Sequence, residues 1–205
     1  MAERELDKLN DLEFDVLKEI GNIGAGNATT ALAKMLNTKI DMNVPRVEMV
    51  PFTQLPDTFG SPEEVLAGIL VQLDGDIKGM MMFLAKEESA HTLVNSLMGG
   101  MGVSGDGTFS EMELSALSEI GNIIIGAYLS AMSNLTNLKI ASSVPYISID
   151  MAGALLSVPA IEFGKLGDKV LLIETQFGEL DLVNGYFLMV PELESYDVIL
   201  SSLGM

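Results

Sequence analysis

The chain contains no cysteine. That absence excludes a disulfide framework, a thiolate metal site and a cysteine nucleophile, and it accords with a reducing compartment. Positive charge is scarce as well: 11 lysines and arginines stand against 29 aspartates and glutamates, a formal net charge of −18. A surface that acidic repels phosphate backbones and anionic headgroups, which argues against nucleic-acid and membrane-surface roles. Histidine occurs once, as His91 in "ESAHTLVNSL". A lone histidine on an amphipathic helix reads as a surface or packing residue, and it is assigned no role. No apolar run reaches about 18 residues, and the opening "MAERELDKLN" is charged where a signal sequence would be apolar. The expectation is a soluble cytoplasmic protein with no membrane insertion. What is present is a 205-residue chain, 48% hydrophobic, which suffices to bury a sizeable core.

One pentapeptide recurs in it. "EIGNI" begins at Glu19 and again at Glu119, each time within a helical pattern. The duplication extends well beyond these five residues. At an offset of 100, Glu13, Leu17, Gly26, Ala31, Asn37, Lys39, Ile40, Val44 and Pro45 recur as Glu113, Leu117, Gly126, Ala131, Asn137, Lys139, Ile140, Val144 and Pro145. From Gly79 the offset becomes 106, aligning "GMMMFLAKEESAHTLVNSL" with "GYFLMVPELESYDVILSSL" from Gly185. The second half therefore carries about six extra residues, for which "DMAGALLSVPA" is the natural place.

Each half has the same order of elements. Residues 11–36 carry apolar positions at Val16, Leu17, Ile20, Ile23, Ala31 and Met35, the spacing of a helix with one buried face, with Asp11 as a candidate N-cap. "KIDMNVPRVEMVPF" alternates as extended chain, interrupted by Pro45. "EVLAGILVQL" and "GMMMFLA" flank the turn "DGDIK" as a hairpin, and "KEESAHTLVNSLMG" is a helix ending at Gly99 and Gly100. "GGMGVSGDGTF" then reads as a linker, after which helix, strands and helix follow again. The fold class is α+β: two pseudo-symmetric helix–strands–helix repeats, about 11–100 and 110–205, joined by a Gly-rich linker near 99–109. Either repeat alone would leave a sheet edge and an apolar face open. The two are expected to merge into one sheet, a single domain over 1–205, with both motif helices exposed.

At about 100° per residue, Asp15, Glu19 and Asn22 form a narrow stripe opposite the apolar face. Ser115, Glu119 and Asn122 repeat it. A polar stripe on one helix is ordinarily a solvated face. Here Glu and Asn persist in both copies while other exposed positions diverge, as at Lys18/Ser118 and Lys34/Asn134. Asparagine is a weak helix former and glycine costs about 1 kcal/mol against alanine in a helix interior. A purely structural surface has no reason to keep both twice. Gly21, Gly26 and their counterparts are expected to give close packing against a neighbouring helix.

Other chemistries fail on spacing. "GNIGAGNA" runs G-x-x-G-x-G with no strand before it, unlike a dinucleotide fingerprint, and Ile124 replaces Gly24 in the second copy. The chain has no Walker lysine, no metal-ligand cluster and no nucleophile motif around its histidine.

The doubled pattern Asp/Ser-x3-Glu-x2-Asn, set in "EIGNI" within repeats that span essentially the whole chain, resembles the CheC/CheX/FliY family of bacterial chemotaxis phosphatases. Two motifs in one chain differ from CheX-like members, which carry one and work as dimers. FliY-like members add flagellar-switch segments at their ends, and none is expected here. The resemblance implies hydrolysis of the aspartyl phosphate of the response regulator CheY by a monomer. It implies catalytic roles for Glu19, Asn22, Glu119 and Asn122: Glu pairing with a regulator lysine, Asn holding the attacking water. Asp15 and Ser115 become regulator contacts. No cofactor of the chain's own is expected, since Mg²⁺ comes with the bound regulator. The alternative is a non-catalytic adaptor binding chemotaxis or flagellar-switch components.

The resemblance also implies binding of the receptor deamidase CheD. "SIDMAGALLS", Ser148 to Ser157, is expected to have no counterpart in the first half. Asp150 is expected to cap a short helix in which Ala152, Gly153 and Ala154 leave backbone accessible, with Met151 and Leu155 as apolar anchors. That segment, Asp150 to Leu155, is the expected CheD-docking site. It contains no glutamine, so it would imitate a receptor helix without being deamidated.

Overall fold

In the computed structural model the described residues are 11–36, 42–99, 107–163, 169–177 and 183–204. The first half runs α1 (Asp11–Leu36), β1 (Met42–Pro51), a 3-10 turn (Phe52–Gln54), α2 (Leu55–Thr58), β2 (Val65–Gly75), β3 (Gly79–Lys86) and α3 (Glu87–Leu97). The second runs α4 (Glu111–Thr136), β4 (Ile140–Ser142), β5 (Tyr146–Met151), α5 (Ala152–Phe163), β6 (Lys169–Phe177), β7 (Val183–Pro191) and α6 (Leu193–Ser202).

One antiparallel sheet unites them in the order β1-β6-β7-β3-β2, with β4 and β5 both on the outer edge of β2. Its centre is the β3–β7 ladder. Gly79 faces Pro191 and Ala85 faces Gly185, positions that exchange under the 106-residue repeat, while Met82 faces its own counterpart Leu188. A pseudo-two-fold axis therefore passes between Met82 and Leu188. Two half-sheets share a seam there, so neither repeat is left with an open inner edge.

Helices cover both faces. On one face α1, α4, α3 and α6 pack over Ala67, Ile69, Val71, Ile173, Phe83 and Phe187. On the other, α2 and α5 cover Val50, Leu66, Met80, Met82, Leu172 and Leu188. Period-2 alternation along the strands directs successive side chains into these two cores. By length and composition α4 could cross a membrane, but half of its most apolar stretch is buried in the fold.

Several sequence expectations meet corrections here. Asp11 is already helical, so it does not stand outside α1 as a cap. Where α4 starts, Ser110 and Glu113 form a capping box: Glu113 Oε2 accepts from the Ser110 backbone N–H at 2.8 Å. Most of the linker, 100–106, lies outside the described residues. Its end is held by His91, whose ring stacks on Phe109 at 3.8 Å and whose Nε2 lies 3.2 Å from the Gly107 carbonyl oxygen. The extra residues of the second half are not all in the α5 segment. Thr175↔Gly185 pairs as Leu73↔Gly79 does, and the second hairpin then runs two rungs further, through Gln176↔Asn184 and Phe177↔Val183. Nor is the 148–157 segment without a counterpart, because the 3-10 turn and α2 follow β1 as α5 follows β5.

Candidate functional site

The two motif helices lie against each other and the sheet, and their buried faces explain the repeated glycines. Leu17, Ile20, Ala25, Ala28 and Leu32 of α1 are buried, while Val16, Ile23, Ala31 and Met35 flank them half-buried. Gly21 and Gly121 face strands, where the sequence reading anticipated a helix. A Cβ on Gly21 would lie 3.6 Å from Ile173 Cγ2 and 3.7 Å from Val47 Cγ2, ordinary contacts. A Cβ on Gly121 would lie 2.2 Å from Ile69 Cδ1 and 3.0 Å from its Cγ2, so that helix sits closer to the sheet and a side chain there would force Ile69 to shift. The contact between helices is made by Gly24 instead, where a Cβ would meet the Tyr128 ring at 2.5 Å. The counterparts of this pair, Ile124 and Ala28, are also buried. Large and small are thus exchanged across the pseudo-two-fold, which is why the second copy can carry isoleucine where the first has glycine.

Burying that face turns the opposite one outward. Asp15, Glu19 and Asn22 on α1, and Ser115, Glu119 and Asn122 on α4, are all exposed. Among the described residues no hydrogen bond or ion pair engages Glu19, Asn22, Glu119 or Asn122. Each site therefore presents a carboxylate and, one turn on, a neutral carboxamide able to donate and accept. Neither provides a nucleophile, and among the described residues no group of His, Asp or Glu is placed to hold a metal ion. Such a pair can hold a cation and orient a water, acting on a reactive group that another molecule brings.

The segment 150–155 is split between surface and core. Asp150 and Met151 belong to β5 and are exposed, as is Ala154, while Gly153 is half-buried. Ala152 and Leu155 are buried in the core against β2, with Leu155 packed over Gly68. Leu155 is therefore no anchor for a partner. Asp150 does not cap α5 either: its Oδ1 accepts from the Met151 N–H at 2.7 Å, while the first-turn N–H groups of Ala152 and Gly153 donate to the Glu64 and Pro62 carbonyls. The apolar residues turned outward here are Met151, as expected, and Val158 and Ile161, which the sequence reading passed over. Ala154, Val158 and Ile161 fall at i, i+4 and i+7, a helical stripe that could have revealed them.

Comparison with known proteins bears on the same features. The CheC-like family matches residues 12–49 and 112–149, one match on each motif helix and the strand after it. The CheY-P phosphatase CheC of Bacillus subtilis is 33% identical over 200 residues, covering 96% of each chain. The flagellar motor switch phosphatase FliY of the same organism is 32% identical over 145 residues, 71% of this chain but 38% of that one. Thermotoga maritima FliY has the same fold, with a TM-score of 0.76 at 23% identity over 95% of this chain and 99% of that one. A chain of the CheX–CheY–BeF3–Mg complex of Borrelia burgdorferi matches at a TM-score of 0.51 and 17% identity, over 82% and 95% of the two chains. Both motif stripes begin within the matched segments, the repeat and the sheet agree in arrangement, and the B. subtilis match is end to end: the chain belongs to the CheC-like family.

Proposed function

We infer that this protein is a phosphatase that hydrolyses the aspartyl phosphate of a CheY-type response regulator. The observation that carries this reading is the duplicated, exposed and unengaged Glu/Asn stripe, in a chain 33% identical over 96% of its length to a curated CheY-P phosphatase. An acyl phosphate is already reactive, and the regulator supplies its own Mg²⁺. Positioning the nucleophile is then the main contribution left to make. The carboxamide oxygen of Asn22 or Asn122 accepts a hydrogen bond from a water and holds it in line with phosphorus. That water attacks, the bond from phosphorus to the aspartyl oxygen breaks, and inorganic phosphate leaves with the water's remaining proton going to solvent. A carboxylate at the same point would repel the phosphoryl oxygens. Glu19 and Glu119, one turn back, serve instead to pair with a regulator lysine. Asp15 and Ser115 flank that contact, and the lost carboxylate at Ser115 makes the second site the weaker docking point. The repeats share their central seam within one chain, which supports a monomer, acting in the cytoplasm where its regulator is phosphorylated.

The reading includes a CheD-binding face. Asp150, Met151, Gly153 and Ala154 rim it, and exposed Met151, Val158 and Ile161 replace Leu155 as its apolar anchors. Lacking glutamine, the segment would occupy a deamidase site as an inhibitor.

The test is loss of phosphate from phosphorylated CheY with and without this protein. Accelerated loss is expected, and an unchanged rate with retained binding would favour the adaptor. For CheD, Asp150→Lys and Ile161→Glu are expected to lose binding while keeping phosphatase activity. Retention of binding by both moves the docking surface elsewhere.

A further inference from the structure

The motif stripe extends past its asparagines. Four residues beyond Asn22 and Asn122 stand Gly26 and Gly126, on the same side of their helices by the 100° rotation per residue. Packing does not account for them. At Gly21, Gly24, Gly121 and Gly153 a Cβ would meet neighbouring atoms, whereas at Gly26 and Gly126 it would meet nothing within 4 Å. Both lie inside 26-residue helices, where glycine is unfavourable and alanine would fit freely. The second copy adds an independent observation. Gly126 forms one end of an open depression of about 400 Å³ that continues along α4 over Ser130, Ser133 and Asn134 to Ile140 and Ser142 of β4. At the other end of each stripe, Leu12 and Met112, again equivalent, are 64% and 69% exposed.

We propose that Gly26 and Gly126 are positioning residues: bare backbone that lets the docked regulator lie directly on the motif helix beside Asn22 or Asn122. This rests on the phosphatase reading above and adds where the regulator sits. The occupant is the regulator's surface around its phosphorylated aspartate, because the bare position is continuous with the Glu/Asn stripe at one turn's distance. Leu12 and Met112 mark the apolar end of the same footprint, and in the second site the depression receives a protruding group of the regulator. A Cβ at either glycine would hold the regulator off the helix and displace the asparagine from the phosphorus, with no effect on the unbound fold except a gain in helix stability.

The experiment compares Gly26→Ala/Gly126→Ala and Gly26→Leu/Gly126→Leu with wild type and with Asn22→Ala/Asn122→Ala. Affinity is read with CheY carrying beryllofluoride and Mg²⁺, turnover with phosphorylated CheY, and thermal midpoint on the free protein. The alanine pair is expected to keep or raise the midpoint and weaken binding about tenfold, and the leucine pair to weaken it further. Wild-type binding and turnover in both glycine pairs, with the asparagine pair inactive, would overturn this inference alone. A lowered midpoint in the alanine pair would assign the glycines to the fold and overturn it equally. A wild-type protein that neither binds nor hydrolyses the regulator would remove the phosphatase reading, and this one with it.

Discussion

The same substitution in the two repeats is expected to have opposite effects. Gly21→Ala places a Cβ at 3.6–3.8 Å from Ile173, Val47 and Val44, so it gains van der Waals contact without displacement. It also recovers the helix propensity lost to glycine, for a gain of about 1 kcal/mol. Gly121→Ala places its Cβ at 2.2 Å from Ile69 Cδ1. Rotation can move that terminal methyl, but Cγ2 at 3.0 Å and Cβ at 3.2 Å stay too close, and Ile69 is fully buried. Overpacking of this kind costs about 1–3 kcal/mol, against the same gain of about 1 kcal/mol. A net loss of about 1 kcal/mol follows, so the two variants should differ by about 2 kcal/mol. For a chain of this size that is about 4–8 °C in thermal midpoint, with Gly21→Ala above wild type and Gly121→Ala below. Parallel urea melts of the two single variants give the same comparison. Equal shifts of the same sign would refute the argument that helix-to-sheet spacing differs between the repeats.

Other consequences follow from the buried phenols and the exposed carboxylates. Among the described residues the buried Tyr128 hydroxyl has no hydrogen-bond partner, so Tyr128→Phe should raise stability by about 1 kcal/mol in a urea melt; a loss of that size would mean the hydroxyl is satisfied. Burial pushes the Tyr128 and Tyr196 phenols well above their ordinary value of 10.0. The unfolded chain gives up these protons near that value while the folded one keeps them, so this stability is complete below about pH 10 and falls as pH rises beyond it. Urea midpoints that stay level between about pH 9 and about pH 11 would contradict this. Glu19→Lys with Glu119→Lys should weaken binding to phosphorylated CheY about tenfold or more while the thermal midpoint barely moves, because both carboxylates are exposed and unengaged. Unchanged affinity would remove the glutamates from the contact.

Much of this architecture was legible because a duplicated sequence carries its own control. Glu19/Glu119 and Asn22/Asn122 stood out as exposed identities, and the offsets of 100 and 106 anticipated a sheet joined across a pseudo-two-fold, which the β3–β7 ladder bears out. What could not be read was which neighbour each glycine touches. Gly21, Gly24 and Gly26 lie within six residues yet face the sheet, the other helix and open space. Periodicity gives the direction of a side chain but not the distance to what lies beyond it. The exchange of Gly24/Tyr128 for Ile124/Ala28 was hidden for the same reason, since compensating volumes leave no local pattern. Leu155 was misjudged because α5 is apolar nearly all round, so its inward and outward faces look alike in sequence.

If the two exposed asparagines position the attacking water, turnover of phosphorylated CheY by Asn22→Ala/Asn122→Ala, beside each single variant, reads that role directly. Losing the water-holding group from both sites is expected to cut the rate about a hundredfold or more. Binding of CheY with beryllofluoride and the thermal midpoint should stay near wild type, and each single variant should keep measurable activity. Wild-type turnover by the folded double variant would contradict the account.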